Sequence, residues 1–415
     1  MVLGAGEVAA NEPRVRKQFD FLLSSMIITG NTGVSAGVGT GQQTINLEEP
    51  AMRSRKIGLG LGVVVVLGFL ATARGEVRYT ITDLGDFAPS GLNNHGQVAG
   101  VSGGRPSIWK NGVVTDLGKL GDWTHWVWQI NDHGRAVGWM EPSTYPHSGL
   151  LYSALLYDDG QITELGTLGG DWSGAMDIND AGQIVGWSGT VQEKEHAFLW
   201  ENGVMTDLGT LPGGTFSNAR AINNLGQIVG IGASGDGSNQ VFMWEAGQIQ
   251  ELIALGDRNA DPYAINDSGQ VVGRWTVDEP YPGDHAFVWQ DGLAADLGTL
   301  GGFSSLAWDI NNSGQVVGYA YTSTGVYHAS LWEQGIAIDL NDLVSAAPAW
   351  ELESARGIND SGQIVGAAIL NGEEHGFLLT PIPEPATFLL MVFGVAITIR
   401  GRVTQPSSCT ARTDY

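Results

Sequence analysis

Two arginines occupy one repeated position of the chain and have the chemistry to hold an anion. Arg220 and Arg356 each lie three residues before an Asn that recurs along the sequence. A guanidinium donates parallel N–H bonds to a carboxylate or sulfate, so the pair can clamp such a group. They can instead form an ion pair with Asp or Glu of a neighbouring repeat, and this is the role that we expect. The other positions of this series are mostly bulky and apolar, and they are Ser90, Trp128, Met176, Tyr263 and Trp308.

Four aromatic residues form a second set of candidate binding residues. Aromatic rings beside an opening can stack on sugar faces or anchor apolar groups, and the alternative is packing beneath the loops. Other connections between repeated phrases vary in length and content, which is typical of a binding surface on a fixed scaffold. These variable connections are 141–152, 189–195, 232–239, 277–284 and 321–327. The four aromatic residues lie at matching places in the repeats, and they are Trp123, Trp172, Phe216 and Phe303.

Two acidic segments raise the question of a metal. Residues 177–182 and 309–314 superficially resemble calcium loops. Calcium takes about six to eight oxygen ligands, usually including a bidentate Glu, and no Glu stands at a fixed offset here. Asn, Asp and Gly are also what a tight turn requires. We therefore predict no cofactor, and calcium is the alternative.

Repeated strands must position these residues. The phrase Ile-Asn-Asp/Asn-x-Gly-Gln-x-Val-Gly occurs seven times at intervals averaging about 44 residues, a spacing typical of propeller blades. The first copy has Leu92 and Ala99 in place of Ile and Val, and the second has Arg135 in place of Gln. A second phrase is His-Ala-Phe-x-Trp, as at His196 and His285, and a third is Thr-Asp-Leu-Gly. Each is short, apolar and bounded by turn residues, which predicts β-strands. Asn-Gly and Asp-Gly pairs between the second and third phrases predict two-residue hairpins.

Each repeat thus contains four antiparallel strands, which we label A to D in chain order. The sequence predicts an all-β fold, a seven-bladed β-propeller of four-stranded blades over residues 76–381. The first element, Tyr79–Gly85, is a D strand, and the last, His375–Leu379, is a C strand. We expect the last blade to be closed by this N-terminal strand, which hides the sheet edges. An open β-solenoid is the alternative.

Both ends of the chain carry segments typical of export. Residues 52–75 have the basic start, apolar run and small-residue site of a signal peptide. We interpret residues 1–51 as a non-native or disordered N-terminal extension. Residues 382–402 join a Pro-Glu-Pro motif to an apolar run and a basic stop, and a polar tail follows at 403–415. The predicted sorting residues are Pro383, Glu384, Pro385, Arg400 and Arg402.

The C-terminal segment resembles the PEP-CTERM sorting signal. The repeats resemble the HAF family of probable extracellular repeats, which is named for phrases such as His196-Ala-Phe. These resemblances imply export machinery and an exosortase-like processing enzyme as partners. They also imply membrane contact through the apolar segment before processing. The implied location is the cell surface, outer membrane or extracellular matrix of a Gram-negative type bacterium.

The charge and the motifs narrow the function. A net charge of −24 excludes nucleic acid as a partner. The sequence contains no nucleophile elbow, zinc-protease motif or phosphate loop. We predict a binding or structural module whose variable face binds an exopolysaccharide or a surface protein. The alternative is a secreted carbohydrate-active hydrolase or lyase with its site at the channel mouth.

Overall fold

The protein is a seven-bladed β-propeller. The computed structural model describes residues 78–141, 152–252, 259–277, 283–344 and 350–383. These residues form seven four-stranded antiparallel sheets and, within the described ranges, no α-helix, which confirms the predicted fold class. One short 3₁₀ turn spans Leu340–Asp342.

Each blade runs from an inner strand A to an outer strand D. Blade 1 consists of β2 Ala88–Leu92, β3 Val98–Ser102, β4 Arg105–Lys110 and β5 Val113–Asp116. Blade 2 consists of β6 Thr124–Ile130, β7 Ala136–Glu141, β8 Ser153–Asp158 and β9 Gln161–Glu164. Blade 3 consists of β10 Gly169–Ile178, β11 Ile184–Thr190, β12 Glu195–Glu201 and β13 Val204–Asp207. Blade 4 consists of β14 Ser217–Ile222, β15 Ile228–Ala233, β16 Asn239–Glu245 and β17 Gln248–Glu251. Blade 5 consists of β18 Asp261–Ile265, β19 Val271–Val277, β20 Gly283–Gln290 and β21 Leu293–Gly298. Blade 6 consists of β22 Gly301–Ile310, β23 Val316–Thr322, β24 Tyr327–Glu333 and β25 Ile336–Asp339. Blade 7 consists of β26 Trp350–Ile358, β27 Ile364–Leu370, β28 Glu373–Ile382 and β1 Arg78–Gly85.

The N-terminal strand closes the ring, as predicted. Strand β1 pairs antiparallel with β28, with Thr80 opposite Thr380 and Asp83 opposite Phe377. The hairpins between strands C and D also follow the prediction. Asn202 and Gly203 both have positive φ, 52° and 84°, the backbone that a two-residue turn requires.

The core consists of seven hydrophobic clusters, one at each interface between adjacent blades. The strand-C aromatics and the strand-D Leu pack between blades. Phe198 and Phe242 are fully buried, Leu208 is nearly so, and Trp200 packs against the cluster between blades 2 and 3. Phe242 of blade 4 packs with Val185 and Leu208 of blade 3, so the burial of apolar surface holds neighbouring sheets together.

The recurring Asn does more than form a turn. Its side-chain N–H₂ donates to the carbonyl of the matching Asn in the next blade, at 2.9–3.1 Å. These bonds form a closed ring around the axis, which we call the Asn ring. Its members are Asn93, Asn131, Asn179, Asn223, Asn266, Asn311 and Asn359.

The residue after each ring Asn forms a second circle, which we call the acidic ring. Each backbone N–H donates to the side-chain oxygen of the next blade at 2.8–2.9 Å. Four members are carboxylates, so one end of the axis is negatively charged. The members are Asn94, Asp132, Asp180, Asn224, Asp267, Asn312 and Asp360.

The strand-C histidines form hydrogen bonds within their own blades. Each Nδ1 lies 2.6–2.9 Å from a strand-D carboxylate of its own blade. In blade 1 Arg105 takes this place and contacts Asp116. The pairs are His196 with Asp207, His285 with Asp296, His328 with Asp339 and His375 with Asp83.

The predicted terminal segments fall almost wholly outside the described residues. The interpretations of 1–51, 52–75 and 403–415 lie there, as do Glu384, Pro385, Arg400 and Arg402. Pro383 is the last residue described and follows β28. Within the described ranges, no helix has the length and apolar character needed to cross a bilayer.

Candidate functional site: the axial channel and an aromatic cleft

The inner strands enclose an axial channel of about 600 Å³. Its wall includes all seven residues that lie three positions before a member of the Asn ring. Blades 4 to 7 contribute, in order, Arg220, Tyr263, Trp308 and Arg356, which we call the cationic arc. Ser90, Trp128 and Met176 of blades 1 to 3 line the opposite, largely apolar side. Residues that share one position of the sequence repeat therefore meet at the axis.

The cationic arc is tightly packed. The rings of Tyr263 and Trp308 lie 4.6 Å apart, and the Arg356 guanidinium lies 4.5 Å from the Trp308 ring centre. A cation above an indole face is attracted by the ring quadrupole. Burial lowers the pKa of Arg356 from its ordinary value. The wall of the arc is thus polarisable, flat and positively charged.

We expected an ion pair between either arginine and an acid of a neighbouring blade, and among the described residues this prediction is wrong. No carboxylate oxygen there lies within 4.0 Å of Arg220 or Arg356. The nearby Arg274 shows the contrasting case, because it contacts the carboxylates of Asp261 and Asp284 and the hydroxyl of Tyr263. Asp261 and Asp284 are therefore already paired with a different arginine.

Two aspartates lie deep in the channel, one residue beyond the level of the arc. Each carboxylate accepts two backbone N–H groups, one from the next residue in the chain and one from the following blade. Asp177 accepts from Ile178 and Ile222, and Asp309 accepts from Ile310 and Ile358, all at 2.8 Å. Part of each residue faces the channel, but protein surrounds both carboxyl groups.

Burial shifts the ionisation of both groups. It raises the pKa of Asp177 from 3.8 to about 6, against the lowering effect of the two N–H donors. It raises the pKa of Asp309 to about 7, and the nearby negative charges of Asp177 and Asp360 add to this shift. Near neutral pH the two groups therefore carry less than their full negative charge.

These raised pKa values predict a pH-dependent contribution to stability. The folded state binds the Asp309 proton more tightly than the unfolded state, so this contribution is largest at low pH and declines as pH rises from about 4 to about 7. We expect the free energy of unfolding of the wild type, relative to Asp309→Asn, to fall by about 2 kcal/mol between pH 5 and pH 8. Denaturant unfolding at a series of pH values measures this difference.

The titration of the many other acids affects the wild type and the variant alike, so it cancels in the difference between their free energies of unfolding. Asp291→Asn, in an exposed hairpin turn, is the matched control for the loss of one charge. A wild-type advantage over Asp309→Asn that stays constant from pH 5 to pH 8 would contradict the assignment of the raised pKa to Asp309.

A second cavity, of about 660 Å³, opens between blades 2 and 3, and we call it the aromatic cleft. It adjoins the channel, because Trp126 lines both. Inside the channel Trp128 contacts Trp139 of the cleft, with ring centres 5.5 Å apart. The residues lining the cleft are Trp126, Trp139, Glu141, Tyr152, Trp172, Trp187 and Glu195.

Local contacts fix the orientation of these rings. Trp126 donates its Nε1–H to Glu141 at 3.1 Å, and Tyr152 meets the edge of Trp187 at 5.7 Å between ring centres. Trp172 packs against the backbone of Gly189, where a Cβ atom would come within 2.9 Å of the ring. Trp126 remains 40% exposed. The rings are thus held in place with apolar surface still facing solvent, which is typical of a binding site.

The four aromatics predicted from the sequence do not gather at one place. Trp172 lines the cleft, whereas Trp123 packs against the core between blades 1 and 2. Phe216 is half-buried, and Phe303 is 46% exposed beside Tyr321 of its own blade. Their role in binding stays a prediction, and the structure associates only Trp172 with the cleft.

Glu141, Tyr152 and Glu195 of the cleft belong to the variable connections 141–152 and 189–195 that the sequence indicated as a binding surface. Trp126, Trp139 and Trp187 were not among the candidates. One signal was available: Trp139 and Trp187 both follow the Val-Gly of strand B, in two successive repeats. The other five repeats have Val101, Ile231, Arg274, Tyr319 and Ala367 at that position.

The acidic segments considered for calcium have their oxygens in use. Asn179 accepts the N–H of Gln183, and Asp180 accepts the N–H of Asp132. Across the described ranges, no group of three or more His, Cys, Asp or Glu is arranged to hold a metal ion.

The chain matches no family model and no curated protein. Solved structures of similar shape include an acylaminoacyl peptidase from Pyrococcus horikoshii, at 14% identity and a TM-score of 0.44, over 61% of this chain and 45% of that one. They also include TolB from Acinetobacter baumannii, at 11% identity and a TM-score of 0.39, over 74% of this chain and 80% of that one. A gluconolactonase from Xanthomonas campestris matches at 10% identity and a TM-score of 0.37, over 74% of this chain and 92% of that one. This chain therefore spans less than half of the peptidase, and similarity at this level says nothing about its function.

Proposed function

We propose that this chain is an exported binding module that holds a polysaccharide in the aromatic cleft between blades 2 and 3. The observation that carries the proposal is the meeting of five aromatic rings and two carboxylates in one open cavity. Flat apolar rings suit the C–H faces of sugars, and a few fixed polar groups suit their hydroxyls. Glu141 and Glu195 supply those polar groups at the rim of the cleft.

The charge of the domain favours neutral glycans for this cleft. Residues 76–381 contain 10 Lys or Arg and 37 Asp or Glu, and 10 minus 37 gives a net charge of −27. Such a field repels acidic polymers at low ionic strength. We therefore expect neutral polysaccharides to bind the cleft more tightly than acidic ones, and added salt or calcium to raise the binding of acidic ones.

The location is proposed from the ends of the chain and from the resemblances described above. The signal-like segment at 52–75, the Pro-Glu-Pro motif and the HAF-like repeats support export to the cell surface or matrix. N-terminal sequencing of the mature protein tests this point. A mature chain that still contains Gln18 or Phe19 contradicts the interpretation of residues 52–75 as a cleaved signal peptide.

Binding measurements on two cleft variants test the proposed site. We expect Trp126→Ala and Trp172→Ala each to weaken binding to the preferred glycan about tenfold or more, because central aromatic residues dominate binding energy. A glycan array identifies that glycan, and calorimetry with the full chain gives the affinities. The melting temperature should change little for Trp126→Ala, since this ring is 40% exposed.

Leu293→Ala is the control, because this apolar side chain is 77% exposed and lies in blade 5, outside the cleft. It should leave the affinity within about twofold of wild type. Affinities that both Trp variants leave unchanged would exclude the cleft as the site.

A carbohydrate-active hydrolase or lyase at the channel is the second candidate function. Its support is the pair of channel carboxyl groups, Asp177 and Asp309, whose pKa values are raised toward neutrality, as acid–base catalysis requires. Incubating the bound glycans with the protein decides between the two functions. Release of shortened products that Asp309→Asn abolishes would establish the enzyme, and saturable binding without turnover supports the module.

A further inference from the structure

The two arginines of the cationic arc lack ionic partners in a strongly acidic domain. Acids outnumber bases 37 to 10 in residues 76–381, so an arginine without a nearby carboxylate is unexpected. Arg105, Arg135 and Arg274 all contact acids. Arg220 and Arg356 face the channel with no carboxylate within 4.0 Å among the described residues.

Two buried donors in the arc are also without an acceptor. Arg220 Nε and Trp308 Nε1 have no hydrogen-bond partner among the described residues. Native proteins satisfy the large majority of buried polar groups, so two unpaired donors in the arc show that the protein itself supplies too few acceptors there. The charge and the free donors thus point to the same ligand feature, an oxyanion.

The remainder of the arc indicates the body of that ligand. Tyr263 and Trp308 lie between the two arginines and offer ring surface, while Trp128 and Met176 provide an apolar wall opposite. The channel volume of about 600 Å³ lies in the range of small-molecule sites. A compact ring that bears one carboxylate fits this combination better than a bare inorganic ion does.

The negative groups of the channel set the orientation. The acidic ring lies beyond the ends of the inner strands, four residues along the chain from the arc. Asp177 and Asp309 lie nearer, but each already accepts two backbone N–H groups. The arc is therefore the part of the channel where an anion meets the least repulsion.

We propose that the cationic arc binds a ring-shaped carboxylate, with Arg220 and Arg356 holding the carboxylate and Trp308 and Tyr263 contacting the ring. A uronic acid residue of a glycan and a free aromatic carboxylate share this chemistry. The proposed site is separate from the aromatic cleft and does not depend on it.

Calorimetric titration of the full chain with sodium glucuronate, a glucuronate-containing oligosaccharide and sodium benzoate tests the site. Methyl glucoside, which lacks the carboxylate, is the neutral control ligand. We expect saturable binding of at least one carboxylate and none of methyl glucoside. Arg220→Gln and Arg356→Gln should each weaken that binding about tenfold or more, the range for a charged hydrogen bond. Lys110→Gln removes one exposed charge in blade 1 and should change it less than twofold.

The relative affinities of the carboxylate ligands identify the source of the carboxylate. Tightest binding of the oligosaccharide indicates a polymer, and tightest binding of benzoate indicates a free aromatic acid. Trp172→Ala should leave carboxylate binding intact, so a failure of the cleft proposal would not affect this one. Should Arg356→Gln fail to fold after losing its contact with Trp308, Arg220→Gln still decides. No saturable binding of any carboxylate, or binding that Arg220→Gln leaves unchanged, would overturn the proposal.

Discussion

Deleting Arg78–Gly85 is expected to abolish the folded monomer. This strand supplies the outer edge of blade 7 and pairs with β28 at seven positions. It also buries Tyr79 and Leu84, which are 1% and 7% exposed, in the clusters on the two sides of that blade. Full burial of such side chains is worth about 1.5–3 kcal/mol each, and the total stability of a domain is only about 5–15 kcal/mol.

The deletion also leaves β28 with unpaired backbone groups, and an exposed edge of this kind promotes aggregation. Size-exclusion chromatography and thermal melting measure both effects. A synthetic peptide of residues 78–85 added in trans should restore some monomer, because an extended peptide can add to a free sheet edge. Thr80→Ser, at an exposed position of the same strand, is the control and should melt like wild type. A monomeric deletion variant with unchanged melting would show that β1 is not needed for closure.

Asn223→Ala is expected to destabilise the propeller by about 3 kcal/mol or more. The side chain is 4% exposed and makes four hydrogen bonds. Its Oδ1 accepts the N–H groups of Leu225 and Gln227, and its Nδ2 donates to Gln227 and to the carbonyl of Asn266 in the next blade. Alanine leaves these buried groups unpaired, and each costs about 1–3 kcal/mol.

Two further substitutions separate the turn from the ring. Asn223→Asp keeps both acceptor bonds but cannot donate to Asn266, so we expect a loss comparable to that of alanine. Leu225→Ala changes a residue of the same turn that is 69% exposed, and its effect should stay within about 0.5 kcal/mol. Denaturant unfolding measures all three variants. A loss below about 1 kcal/mol for both Asn223 variants would mean that the ring adds little to stability.

The sequence by itself determined the architecture. Two-residue turn pairs such as Asn202-Gly203 require the positive φ values that the structure shows, and such turns allow only antiparallel neighbours. An unpaired D strand at one end and an unpaired C strand at the other then left one way to complete the last blade. These features depend on neighbouring residues or on the number of strands in the repeats, so contacts between distant residues were not needed to predict them.

The sequence also determined which residues line the axis, because the series three before the recurring Asn has a fixed place on the innermost strand. Only the tertiary structure showed how these residues pair. Arg274 takes the acids beside the cationic arc, and Arg356 lies on Trp308 of the preceding blade. Such partners are separated by a whole repeat or sit on different strands, and spacing within one repeat does not specify them.

The Asn ring and the aromatic cleft show the same limit. The Asn-x-x-Gly phrase predicted a turn, but its inter-blade hydrogen bonds join residues 38 to 48 positions apart, and Asn359 to Asn93 spans 266. The cleft draws Trp126 and Trp139 from blade 2 and Trp172 and Trp187 from blade 3, each from a different strand or repeat. A repeat specifies its own turns and strand order, because those depend on neighbouring residues. The site arises between repeats, where only the packed ring brings distant side chains together.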